Sequence, residues 1–142
     1  MATRTLFRDT FTEAEARTTL AGLRRSTASM AVVQLRVLGG AIARVPDDAT
    51  AYAHRRRRLM CNIAAMFEDP AGRSEHAAWA ADLAADLHED GIDGVYVNFL
   101  GVDDAHRVRD AYPGACWDRL IALKARHDPR NLFRRNHNVP LA

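Results

Sequence analysis

At 142 residues, 48% of them hydrophobic, the chain is long enough to bury one sizeable core, and a single domain over residues 1–142 is expected. No apolar run approaches the roughly 20 residues that span a bilayer, and the opening MATRTLFRDTFTEAEAR lacks the apolar stretch of a secretory signal, so a cytoplasmic protein without a membrane segment is expected. The net charge of +2 is built from 19 arginines and one lysine, Lys124, and so near-neutral a balance argues against nucleic acid as a partner.

Thr12 and Glu15 have the spacing of a capping box, in which each side chain satisfies the other's backbone donor, and this predicts a helix over 12–25 with Leu20 and Leu23 as its apolar side. Residues 26–29 read as a turn. From 30 to 38 the residues alternate, with Ala31, Val33, Leu35 and Val37 on one face and Gln34 and Arg36 on the other, the period of a half-buried strand. Gly39-Gly40 punctuates it, and 41–45 predicts a shorter strand that closes a hairpin before Pro46-Asp47-Asp48.

The run His54-Arg55-Arg56-Arg57-Arg58 has the composition of a basic patch, but no second cluster interleaved with aromatics accompanies it. It reads instead as the charged lead-in to a strand over 57–67. There Leu59, Cys61, Ile63, Ala65 and Phe67 alternate with Met60, Asn62, Ala64 and Met66, and apolar residues on both faces predict a central strand. A helix over 74–88 follows, with Trp79, Leu83 and Leu87 at four-residue spacing, His76 and His88 on its exposed side, and Gly91 as its stop. A fourth strand is expected over 94–100, with Val95, Val97 and Phe99 facing one way and Tyr96 and Asn98 the other. Two helices are expected over 103–111 and 116–126, the second burying Trp117, Leu120 and Ile121 and ending at Asp128-Pro129. The sum is an α+β fold: a mostly antiparallel four-stranded sheet, helices packed on one face, and an irregular C-terminal tail. Such an open sheet leaves two edges, which implies a partner.

No catalytic set is complete by spacing alone. Gly39-Gly40 suits a hairpin better than a phosphate cradle, and Ser26 and Ser29 lack the surroundings of a nucleophile elbow. Asp103 and Asp104 read as a helix cap rather than an acid–base pair. Cys61 and Cys116 are too far apart for a Cys-x-x-Cys pair, so neither a disulfide framework nor a metal site is expected. His127 and His137 flank the tail, and His137 is the histidine to which a chemical role is most readily given.

Three collinear segments carry a resemblance: VQLRVLGGAIARVPDDATAYAHR (33–55), GVYVNFLG (94–101) and DRLIALKARHDPRNLFRRNHNVP (118–140). Over about residues 12–140 the chain resembles the C-terminal, substrate-domain part of FAD-linked oxidoreductases with a berberine or berberine-like domain. The resemblance implies that the module covers the flavin ring, with Tyr96, Asn98, Asn136 and Asn138 as cofactor-binding residues. Phe99 and His137 become substrate-side candidates: many family members carry a proton-accepting tyrosine at the first position and a glutamine at the second, and phenylalanine cannot take a proton. It further implies an FAD-binding domain, of which these residues hold none, so FAD is expected only with an FAD-binding partner chain. The alternatives are a stand-alone module that self-associates through its exposed sheet edges and an inactive truncated remnant.

Overall fold

The computed structural model describes residues 1–92 and 94–141. In chain order the elements are β1 (Ala2–Arg8), α1 (Glu13–Arg24), β2 (Met30–Val37), α2 (Ala41–Arg44), β3 (Leu59–Met66), α3 (Arg73–Asp86) and α4 (Ala115–His127), with 3-10 segments at Pro70–Gly72, Val97–Phe99 and Val102–Ala111. The fold is α+β, and the three strands form an antiparallel sheet in the order β1-β3-β2. β3 occupies the centre as expected, since a strand apolar on both sides is stable only when both are covered. Every residue from Met60 to Ala65 is buried.

Register decides what each face carries. Leu6, Cys61 and Leu35 stand abreast, as do Arg4, Ile63 and Val33, and these rows face α3. Leu6, Cys61 and Ile63 pack there with Ala80, Leu83 and Leu87. The intervening rows, Phe7–Met60–Arg36 and Thr5–Asn62–Gln34, face the other way. A second cluster of Phe7, Met60 and Ile92 lies on that side, flanked by Leu38, Tyr96 and Phe99.

The capping box of α1 is present as its spacing predicts: the Glu15 amide donates to Thr12 Oγ1 at 3.3 Å, and the Thr12 amide to Glu15 Oε2 at 2.6 Å. Its buried side is not Leu20, which is 55% exposed, but Thr19 and Gly22. The reason is a close helix crossing. Trp79 Nε1 donates to the Gly22 carbonyl at 2.9 Å, and a Cβ on Gly22 would lie 2.7 Å from Leu83 Cδ1, so only glycine lets α1 come this close to α3.

The sheet differs from expectation at two places. Residues 94–100 are not a strand: the Tyr96 amide donates to Thr5 Oγ1 at 3.1 Å, and Thr3 Oγ1 donates to the Phe99 carbonyl at 2.6 Å. Side chains of β1 thereby occupy backbone groups that a ladder would need, and the segment tightens into the 3-10 turn Val97–Phe99. The strand that the sequence concealed is β1 itself. Residues 41–45 likewise form the short helix α2, because Gly40 at φ 52° turns the chain out of the sheet direction and Pro46 stops it one turn later. There is thus no β-hairpin at Gly39-Gly40.

Smaller departures have local causes. The helix expected over 103–111 is a 3-10 segment kinked at Asp104. Asp104 accepts from the Gly101 amide at 3.2 Å and pairs with Arg4 at 3.2 Å, a capping and structural role; the Asp103 side chain lies outside the described residues. Trp117, Leu120 and Ile121 are only half-buried, and no residue of α4 is buried. His76 is 7% exposed and stacks on Phe67 at 4.7 Å, so it belongs to the core and not to the solvent side of α3. Among the described residues no helix is long and apolar enough to cross a membrane.

The two thiols have unlike surroundings. Cys61 is fully buried, and burial pushes its thiol up to about 11 against a weaker opposing pull from Arg8, whereas Cys116 is partly exposed. A thiol-reactive disulfide reagent is therefore expected to modify Cys116 alone in the native chain and Cys61 only after denaturation. Rapid native modification of both would contradict this packing.

Candidate functional site

On the sheet face turned away from α3, a polar row crosses all three strands. Asn62 Nδ2 donates to Gln34 Oε1 at 3.5 Å, Arg36 Nη2 donates to the same oxygen at 3.1 Å, and the buried Asn62 Oδ1 has no partner among the described residues. The Arg36 guanidinium lies over the Phe99 ring, 5.1 Å from its centroid. These residues were missing from the candidates drawn from the sequence. Their signal was the alternation of β2 and β3, which becomes a shared row only once the register is known.

Tyr96 and Phe99 meet edge to face at 5.6 Å, and Tyr96 meets Tyr52 in the same manner at 6.0 Å. Asn98 Nδ2 donates to the Tyr96 hydroxyl at 2.8 Å. Burial raises the Tyr52 phenol above its ordinary value, with Tyr96 adding to the shift and Arg55 opposing it, so Tyr52 stays protonated and able to donate.

Beside this aromatic group lies a cleft of about 470 Å³ lined by Val97, Asn98, Leu100, Ala105 and, from the tail, Arg135, Asn136 and His137. The structure therefore brings together Asn98, Asn136 and His137, which are far apart in sequence, and Tyr96 joins them through Asn98. Phe99 packs on Tyr96, and Asn138 stands one residue beyond the cleft wall. Three features suit a hydrogen-bonding planar ligand. Asn98 and Asn136 bring amides to the lining, and His137 Nδ1 and Asn138 Oδ1 are buried without a partner among the described residues. Asn136 adopts φ 59°, a left-handed conformation that asparagine tolerates well, and this bends the tail along the cleft.

The tail is held by one carboxylate. Asp128 accepts from the Leu132 amide at 2.7 Å, the Phe133 amide at 3.0 Å and Lys124 Nζ at 2.6 Å, while Lys124 also donates to the Phe133 carbonyl at 2.6 Å. The Lys124 hydrogen bond, and behind it the two amides, hold the Asp128 carboxyl below its ordinary value against an opposing effect of burial.

The basic run is dispersed. Arg56 pairs with Asp47, Arg57 pairs with Asp9, and the Arg58 amide donates to Asp9 Oδ1 at 3.0 Å, so two of the four guanidiniums of the run are ion-paired. Arg55 turns toward Tyr52, and His54 is only 6% exposed, its ring stacked on Phe7 at 4.2 Å with Nε2 unpaired among the described residues. Burial pushes His54 below its ordinary value of 6.5, Arg57 adds to this, and backbone contacts oppose it. The folded state thus takes the proton less readily than the unfolded chain. Its stability is full above 6.5, falls as pH drops below that value, and levels off below the depressed folded value. A series of melting temperatures from about pH 7.5 to 5 should fall for the wild type and fall less for His54→Gln. Equal slopes for the two would remove His54 as the cause.

The sheet is backed by helices on one face and carries aromatic and amide side chains on the other. The chain superposes on a crystal structure of aclacinomycin oxidoreductase with a TM-score of 0.76 and 26% identity, covering 99% of this chain and 32% of that one. In sequence, an FAD-linked oxidoreductase of Pyricularia oryzae is 37% identical over 103 residues, 68% of this chain and 20% of that protein. The aclacinomycin-N/aclacinomycin-A oxidase of Streptomyces galilaeus is 28% identical over 145 residues, 89% of this chain and 26% of that protein. The family described as berberine and berberine like matches residues 95–140. The chain is a partial domain of the berberine-bridge-like family of FAD-linked oxidoreductases. It spans between 20% and 26% of the length of these two curated relatives.

Proposed function

We propose that this chain forms the wall over the flavin ring and substrate of an FAD-dependent oxidoreductase, acting together with an FAD-binding domain. The observation that carries this reading is the convergence of Asn98 with Asn136 and His137 in one cleft, with polar atoms at His137 and Asn138 that have no partner among the described residues. Bound there, the flavin would supply two-electron redox chemistry. Tyr96, Asn98, Asn136 and Asn138 would hold its ring by hydrogen bonds, the Tyr96 hydroxyl being fixed by Asn98. Phe99 excludes water from the Tyr96 side but can take no proton. His137 Nδ1, which has no partner among the described residues, is chemically able to do so.

Exposed apolar residues support a protein partner: Val37 and Phe133 are each 82% exposed, and Leu132 is 63% exposed. A cytoplasmic setting accords with two free thiols. The test is to purify the chain from its own cells with whatever polypeptide accompanies or extends it. A yellow preparation whose flavin absorbance shifts when Asn98 and Asn136 are changed to Ala is expected; a colourless one overturns the reading. Self-association is the second reading, favoured by the open edge of β2, where Met30 is 52% and Leu35 42% exposed. Sizing at micromolar concentration would then give a dimer, and a monomer would end it.

A further inference from the structure

Arg36 and Arg55 line one cleft of about 430 Å³ with Val37, Ile42, Tyr52 and Tyr96. Each guanidinium lies over an aromatic ring, Arg36 at 5.1 Å from the Phe99 centroid and Arg55 at 5.4 Å from that of Tyr52. Stacking holds a guanidinium by its face and leaves its N–H edge free to grip a planar anion. Among the described residues neither arginine is ion-paired, although the neighbouring Arg56 and Arg57 both are. Arg36 spends one Nη on Gln34, while Arg55 donates to the Ile42 carbonyl at 3.3 Å and to Thr50 Oγ1 at 2.7 Å, and its buried Nε has no acceptor among the described residues. Arg36 is exposed and Arg55 half-buried, and two cations that share a cleft, with no carboxylate among its described lining residues, favour an anionic occupant.

The apolar walls and the tyrosine edges narrow its class. Tyr52 is protonated and can donate, Val37 and Ile42 offer no polar group, and the aromatic edges suit a flat ring. The cleft ends at Tyr96, whose hydroxyl is bonded to Asn98 of the flavin-side cleft. We infer that this cleft is an anion subsite that selects substrates carrying a carboxylate on a planar unsaturated body, with Arg36 and Arg55 as its specificity residues. The inference deepens the proposed function and rests on it for the word substrate. Recognition of the anion itself needs no flavin.

The test uses the full chain, with cinnamate as the probe and cinnamamide as its neutral counterpart. In NMR titrations cinnamate is expected to shift the ring signals of Tyr52 and Tyr96, and cinnamamide is not. Arg36→Gln and Arg55→Gln should each weaken cinnamate binding roughly ten-fold, the loss of one charge-assisted hydrogen bond. Arg56→Gln, which alters an arginine paired with Asp47 outside the cleft, should leave binding unchanged. Circular dichroism identifies any variant that has lost its fold, and the remaining variant then decides. Equal binding of cinnamamide, no shift at either tyrosine, or full binding in both cleft variants overturns the inference. Flavin absorbance of the native preparation is read separately, so a colourless preparation that still binds cinnamate refutes the flavin reading and leaves the anion subsite standing.

Discussion

Arg8→Ala is expected to destabilise the fold by about 3 kcal/mol and to lower the melting temperature by roughly 10 °C. Arg8 is 2% exposed at the end of β1, beneath the C-terminal end of α3. It donates from Nε to the Thr10 carbonyl at 3.0 Å, from Nη1 to the Leu87 carbonyl and from Nη2 to Glu15, and Glu89 lies 3.5 Å from Nη2. One guanidinium thus ties the first strand to two helices. Truncation leaves the Leu87 carbonyl without its donor in a dry site, which is the costly part. The two carboxylates are about a quarter exposed and recover water, which keeps the loss at the lower end of the range for a broken buried pair. Arg8→Lys restores only part, because one ammonium on a flexible stem cannot reach three separated acceptors in the fork geometry. A thermal melt of Arg8→Ala within about 2 °C of wild type would show that the network contributes little.

Gly94→Ala should cost a similar amount, about 3 kcal/mol, from two sources that act together. Gly94 has φ +128°, a region essentially closed to residues with a Cβ, and a Cβ there would lie 2.3 Å from His54 Cε1. His54 has no room to yield, since its ring stacks on Phe7 within the second cluster. The consequence reaches the site. Gly94 leads directly into Val95 and Tyr96, whose amide is fixed to Thr5, so relief of the clash would move the tyrosine between the two clefts. The double variant Gly94→Ala/His54→Gly is expected to recover part of the loss by removing the clash while keeping the backbone strain. A double variant no more stable than Gly94→Ala would show that backbone conformation alone sets the cost.

Elements with local signals were legible in the sequence. Thr12 and Glu15 identify the start of α1 because a capping box is complete within four residues, and the two apolar faces of β3 identify the centre of the sheet. β1 was not legible, because Leu6 and Phe7 are adjacent and point to opposite faces, and Arg8 faces the core side where a period-two reading expects an apolar residue. Residues 94–100 carry the period of a strand, yet their backbone partners are the hydroxyls of Thr3 and Thr5, which no periodicity reports. The same division holds at the site. Asn98, Asn136 and His137 could be nominated from their motif, whereas Gln34, Arg36 and Asn62 required the pairing of β2 with β3. Leu20 illustrates the converse: a large apolar residue at helical spacing stays outside because Trp79 and Leu83 need the smaller Gly22.

The only lysine in the chain sits where an arginine would not serve. Lys124 reaches both Asp128 Oδ2 and the Phe133 carbonyl, and a compact ammonium on a flexible stem meets two close acceptors at the end of a helix better than a rigid planar fork. The shape of the segment that carries Asn136 and His137 is therefore set at the C-terminal end of α4, by Lys124 and the Asp128 that follows the helix, which line neither cleft. The motif is in this sense portable only as a cassette. A tail exchanged between relatives from Leu132 onward would keep its sequence and lose its curvature unless Lys124 and Asp128, or an equivalent pair, came with it.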